Sequence, residues 1–270
     1  MTGLRTAAVA GLGALAVTHA LPAAACWPAL RRRLAPGLAG IGRPGHVALT
    51  FDDGPDRRST PLFLRELERR GVRATFFLLG RMARGNADVA AALVEAGHEV
   101  ALHGYDHRCL LFVGPRATYD DLARGRDAVA AATGVVPRWW RPPYGVLSTA
   151  ALVAAARLHL TPVLWSAWGR DWSARATPGS VARTVLRDLR SGGTVLLHDS
   201  DCTSAVGSWR TTLAALPYLL DHCARRGWRV GPLGEHREPA DMTDLPAAPW
   251  PPGALAAAAA AAPHGPGPGA

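Results

Sequence analysis

The sequence predicts an α/β domain built on a mostly parallel sheet, and three observations predict it. Between about His46 and Glu235, short β-rich runs alternate with helical patterns, as expected of strands joined by helical crossovers. The strand runs are nearly continuous and apolar, as required when both faces of a sheet are covered. Several helical segments run into a glycine (Gly71, Gly97, Gly134, Gly192 and Gly227), where a helix would stop. No glycine-rich nucleotide fingerprint follows the first strand, which favours a barrel over an open doubly wound sheet.

Strands are expected at 46–51, 74–79, 99–102, 139–141, 161–166, 194–197 and 229–231, with helices at 60–70, 87–96, 117–132, 149–157, 180–189 and 211–226. In a parallel barrel, chemistry sits on the loops at the carboxyl ends of the strands. The first strand ends in Thr50-Phe51-Asp52-Asp53-Gly54-Pro55, a turn able to aim two carboxylates into one cleft. After the third come His103 and His107. Imidazoles four apart can share a metal, and His₂Asp leaves a position open for water, as a catalytic metal needs. The fourth strand runs into Arg141-Pro142-Pro143-Tyr144-Gly145, whose double proline stiffens the backbone. Past the fifth, Trp165, Trp168 and Trp172 surround Asp171, and such aromatic faces suit sugar rings. The sixth ends in Leu196-Leu197-His198. Each segment alone has a bland explanation as a turn, a core histidine or a rigid loop. Five strand ends carrying polar chemistry on one face do not.

Taken in order, these segments resemble the polysaccharide deacetylase family that shares the NodB homology domain (carbohydrate esterase family 4). The matching pieces are TFDDGP at 50–55, HxxxH at 103–107, RPPYG at 141–145, Asp171-Trp172 and Leu196-Leu197-His198, within roughly 46–235. The resemblance implies a distorted (β/α) barrel of about seven parallel strands. It further implies a metal-dependent hydrolase that removes N-acetyl groups from a polysaccharide containing N-acetylglucosamine. By resemblance, Asp53, His103 and His107 hold a divalent metal and Asp52 is the general base, oriented by Arg141. The Tyr144 backbone N–H serves the oxyanion, His198 is the general acid held by Asp171, and Trp172, Leu196 and Pro143 contact substrate. Zinc is the default for such ligands, with cobalt, nickel or manganese also admitted. An O-acetyl esterase or an amidase acting on a non-sugar C–N bond could use the same groups. The chain departs from the family at Gly104, where Ser or Thr usually braces the histidine loop.

All 30 basic residues are Arg, and the net charge is +9. That charge favours anionic surfaces, but no nucleic-acid motif accompanies it and no nucleic-acid partner is expected. Four cysteines without a CxxC pair make no disulfide framework. Buried free thiols are expected, with a Cys109–Cys202 bridge as the alternative. Residues 1–45 form an apolar segment and basic linker: Arg5, a weakly apolar stretch over 6–25, and Ala23 and Ala25 before Cys26 resemble a secretory signal. Arg31-Arg32-Arg33 follow closely, and basic residues there tend to hold that side in the cytoplasm. Export or membrane anchoring facing the cell wall is expected, with a cytosolic helical extension as the alternative. The Pro/Ala/Gly-rich stretch 236–270 reads as a disordered tail.

Overall fold

The computed structural model describes residues 11 and 13–236. The first ten residues of the apolar segment and the tail from 237 onward lie outside the described residues.

Eight strands form one parallel sheet: β1 (His46–Asp52), β2 (Thr75–Leu78), β3 (Glu99–Leu102), β4 (Trp139–Trp140), β5 (Thr161–Pro162), β6 (Ala167–Trp168), β7 (Thr194–His198) and β8 (Arg229–Gly231). Seven of them run in the order β5-β4-β3-β2-β1-β7-β6, and β8 pairs with His46–Ala48 at the foot of β1. The sheet curls but does not close, which makes it a distorted (β/α) barrel with a seam between β5 and β6. Helices cover its outer face: α1 (Thr60–Arg69), α2 (Gly80–Gly85), α3 (Ala87–Glu95), α4 (Pro115–Thr133), α5 (Thr149–Arg157), α6 (Pro178–Asp188) and α7 (Ser208–Arg225). Of these, α2 has no counterpart among the helices the sequence predicts, because GRMARG is bounded by glycines and carries no apolar period.

One expected strand divides in two. The run 161–166 pairs with β4 only at Thr161 and Pro162, and β6 begins at Ala167 on the far side of the seam. The backbone between them is claimed by other partners. The carbonyls of Val163 and Leu164 accept from the Arg141 guanidinium at 3.4 and 3.1 Å, and Leu164 N–H donates to Leu38 O at 2.8 Å. Residues N-terminal to β1 thereby line the seam. Gly40 O accepts from Thr194 Oγ1 at 2.6 Å, and Ala39 is fully buried. Arg31, in a short helix at Pro28–Leu34, is buried too, stacking its guanidinium over Trp165 at 5.2 Å. Among the described residues no single helix is long and apolar enough to cross a membrane.

Alternation along β2 separates two apolar regions. Phe76 stacks on Phe51, with Phe63 of α1 edge-on to Phe51, in the layer between sheet and helices. Phe77 joins Ala48, Ala101, Trp139, Val163 and Leu233 in a separate small cluster. That cluster fills the lower barrel, and the polar residues stand above it.

His98 offers a stability test remote from these polar residues. Its Nδ1 accepts the Ala74 N–H at 3.1 Å, so the ring must stay unprotonated on that atom. Burial, helped by the Arg73 charge, pulls its pKa from 6.5 down to about 4. A basic group depressed on folding adds stability that is full above its ordinary pKa and fades as pH falls toward the folded value. Urea midpoints are therefore expected to drop between pH 6.5 and pH 4. His98→Gln should show a shallower decline; an unchanged slope would assign the loss to other groups.

Candidate active site

The carboxyl ends of the strands open into a cleft of about 320 Å³. Its walls are Asp52, His103, His107, Pro142, Tyr144, Gly145, Trp165, Trp168, Trp172, Leu196, His198 and Thr203.

On one side stands a buried ion pair. Arg141 follows β4 and passes inward over the Phe77 ring, its guanidinium carbon 3.9 Å from the centroid. Nη1 donates to Asp52 Oδ1 at 2.6 Å and to Thr50 Oγ1 at 2.8 Å. Both charged side chains are almost wholly out of solvent. Burial pushes the Asp52 carboxyl up to about 6, against the pull of Arg141 and His198. With Oδ1 engaged, Oδ2 is the oxygen left toward the histidines, 3.7 Å from His103 Nε2.

Next to this pair, Asp53, His103 and His107 converge, each offering one ligand atom within 4.8 Å of the others. Asp53 has φ +79° at the turn after β1, and its carboxylate and that of Asp52 both face the His103 imidazole. Asp53 Oδ1 lies 3.5 Å from His103 Nε2 and 3.6 Å from His107 Nε2. Tetrahedral zinc with bonds of about 2.05 Å needs ligand atoms about 3.3 Å apart, close to these separations. Asp53 Oδ1 is buried without a hydrogen-bond partner, and such a carboxylate oxygen is costly unless a cation meets it. The His103 ring is also set: Nδ1 lies 2.8 Å from Arg141 O, so it donates there and leaves Nε2 bare. Burial holds both imidazoles below the usual histidine pKa, in the neutral form that binds metals. The donor set fits a divalent cation.

The histidine loop is held despite Gly104. Gly104 has φ +101° and faces the Asp121 carboxylate of α4, which accepts Tyr105 N–H at 3.0 Å. Arg124 of α4 donates to Tyr105 Oη at 2.9 Å and lies over its ring. A carboxylate from the neighbouring helix thus braces this turn.

Across the cleft, His198 at the end of β7 pairs with Asp171. Nδ1 lies 3.0 Å from Asp171 Oδ1, and Oδ2 accepts His198 N–H and Thr212 Oγ1, both at 2.8 Å. Burial opposes charge on His198, but Asp171, with Asp53 and Asp52 beyond, outweighs it and raises the imidazole to about 10. Burial likewise opposes ionisation of Asp171, yet His198 and Thr212 keep its carboxyl below the ordinary range.

Tyr144 (φ +61°) presents its ring edge-to-face to His107 at 4.6 Å and is largely exposed. Trp172 is half-exposed at the rim, and Leu196 is buried in the wall. Pro142 lines the cleft, and the adjacent Pro143, the expected substrate contact, is buried near Gly104. Trp165, Trp168 and Thr203 also line the cleft. The two tryptophans are among the aromatics that the sequence singles out for sugar rings, whereas nothing in the sequence marks Thr203. All four cysteines are free, and only Cys223 is buried.

A buried pair broken on one side leaves an uncompensated charge, costing about 3–5 kcal/mol. Arg141→Met is expected to lose that much in urea unfolding. A loss under about 1 kcal/mol would mean that Asp52 is neutral or reached by water.

With this geometry in place, comparison with known proteins is informative. The polysaccharide deacetylase family model matches residues 40–163. A chitooligosaccharide deacetylase from Bradyrhizobium sp. (strain ANU 289) is 36% identical over 195 residues, 69% of this chain and 88% of the relative. Among solved structures, the Bc1960 peptidoglycan N-acetylglucosamine deacetylase superposes with a TM-score of 0.68 at 28% identity, covering 73% of this chain and 91% of that one. BA3943 of Bacillus anthracis, described as a family 4 pseudoenzyme, superposes with a TM-score of 0.65 at 27% identity, covering 72% and 66%.

Proposed function

The chain belongs to the polysaccharide deacetylase family, and from that premise we propose that it is a metal-dependent hydrolase releasing acetate from N-acetylglucosamine units of a polysaccharide. One observation carries the reading: a paired carboxylate, a candidate metal triad and a paired imidazole share one cleft. The pseudoenzyme relative warns that fold alone does not imply turnover, so the argument rests on these groups.

Asp53, His103 and His107 would hold a divalent cation, with zinc favoured, which would supply Lewis-acid chemistry toward an acyl carbonyl and its attacking water. The protein supplies the rest. Asp52 takes the proton of the attacking water at Oδ2, because Arg141 occupies Oδ1. The Tyr144 backbone N–H, on its rigid turn, donates to the oxygen that gains charge. His198 gives its proton from Nε2 to the departing amine, since Nδ1 is tied to Asp171. Leu196 and Trp172 wall the space for the acetyl methyl, and the exposed Tyr144 and Trp172 rings offer faces to the sugars. Export or membrane anchoring through the N-terminal segment suits a wall-polymer substrate.

Asp52→Asn is expected to retain bound metal and lose turnover by about 10²–10⁴, read as acetate released from N-acetylglucosamine oligomers. Full activity in that variant would remove Asp52 as the base. Acetylated xylan run alongside distinguishes an O-acetyl esterase, which would release acetate there and not from the amide. A second test uses the His198–Asp171 pair. Asp171 raises the pKa of His198, so Asp171→Asn should move the alkaline limb of the rate profile to lower pH. An unmoved limb would show that His198 is not the acid.

A further inference from the structure

The loop after β7, the strand beside β1, reaches Asp53. Thr203 Oγ1 donates a hydrogen bond to Asp53 Oδ2, and Cys202 Sγ donates to Asp53 O at 3.4 Å. The two carboxylate oxygens therefore have different surroundings. Oδ2 is occupied by a hydroxyl, while Oδ1 is buried, unpartnered and 3.5–3.6 Å from both imidazoles. The loop that holds the hydroxyl is itself anchored. Asp201 Oδ2 accepts Gly207 N–H at 2.6 Å, and Asp201 Oδ1 accepts from Arg58 at 3.0 Å. Ala205 N–H donates to Trp172 O at 3.0 Å.

We propose that Thr203 is a positioning residue for the metal site: its hydroxyl claims Asp53 Oδ2 and fixes the carboxylate as a ligand through Oδ1 alone. The inference rests on the metal reading above and adds a residue to it. A carboxylate free to rotate can chelate through both oxygens, which raises the coordination number and suits larger, oxygen-seeking cations. Held by one oxygen beside two imidazoles, it favours a low-coordinate cation and keeps an open position. Partners that hydrogen-bond a ligating group typically change metal affinity by about 10–100-fold when removed.

The test is equilibrium binding of Zn²⁺ to metal-stripped full-length protein, by competition with a chromophoric chelator. Thr203→Val keeps the shape and deletes the donor; Thr203→Ser keeps the donor. The valine variant is expected to bind Zn²⁺ about 10–100-fold more weakly, with serine restoring affinity to within about 3-fold of the parent. A Co²⁺-loaded sample gives a readout independent of activity. Loss of the clamp should weaken the visible absorption as the site gains ligands, and serine should restore it. Equal Zn²⁺ affinity and equal spectra for parent and valine variant would overturn the role of Thr203 while leaving the metal site standing. Should the valine variant not fold, serine and alanine variants carry the same comparison. If even the parent bound no divalent cation, the metal reading itself would fall, and this inference with it.

Discussion

The buried contact between Arg141 and Asp52 is the constraint on which the upper half of the barrel depends. A guanidinium without solvent must have every donor placed, or it costs several kcal/mol. Here it draws Thr50 and Asp52 of β1 together with the carbonyls of Val163 and Leu164. Those carbonyls meet the guanidinium where the chain leaves β5 and crosses the seam. One side chain thus ties the carboxylate of β1 to the backbone at the seam.

The cleft is a set of opposed electrostatic environments packed within a few ångströms. Asp52 and His198 depart from their ordinary values in the same direction, for different reasons. Burial raises the first, whereas Asp171, with Asp53 and Asp52 beyond, raises the second against burial. Between them sit neutral imidazoles and a carboxylate oxygen that no donor among the described residues reaches. A base on one flank, an acid on the other and a cation site between them form an arrangement suited to amide hydrolysis, where attack and departure need opposite proton movements.

Support for these groups comes from outside the strand ends. Asp121 and Arg124 reach from α4 to the histidine turn, Thr212 of α7 completes the shell of Asp171, and the segment before β1 fills the seam beside Trp165. Each comes from a different element than the group it steadies, and such outer partners orient the groups that do chemistry.

Fold class and the main polar groups were legible in the sequence because their causes are local. Apolar runs between glycine-closed helical patterns specify strands covered on both faces, and the left-handed φ at Gly71, Gly97, Gly134, Gly192 and Gly227 follows from those same stops. Parallel topology sends every strand's carboxyl end to one face, so Asp52, His103, Arg141 and His198 had to meet there. What depended on atoms meeting at long range was not legible. The division of 161–166 coincides with a guanidinium reaching in from the end of β4. Thr203 lies 150 residues from the carboxylate it holds. Sequence pattern records the period and polarity that local backbone geometry requires; which oxygen of Asp53 stays free is decided only when the loop after β7 closes over it, because a hydrogen bond depends on distance and direction that no residue spacing encodes.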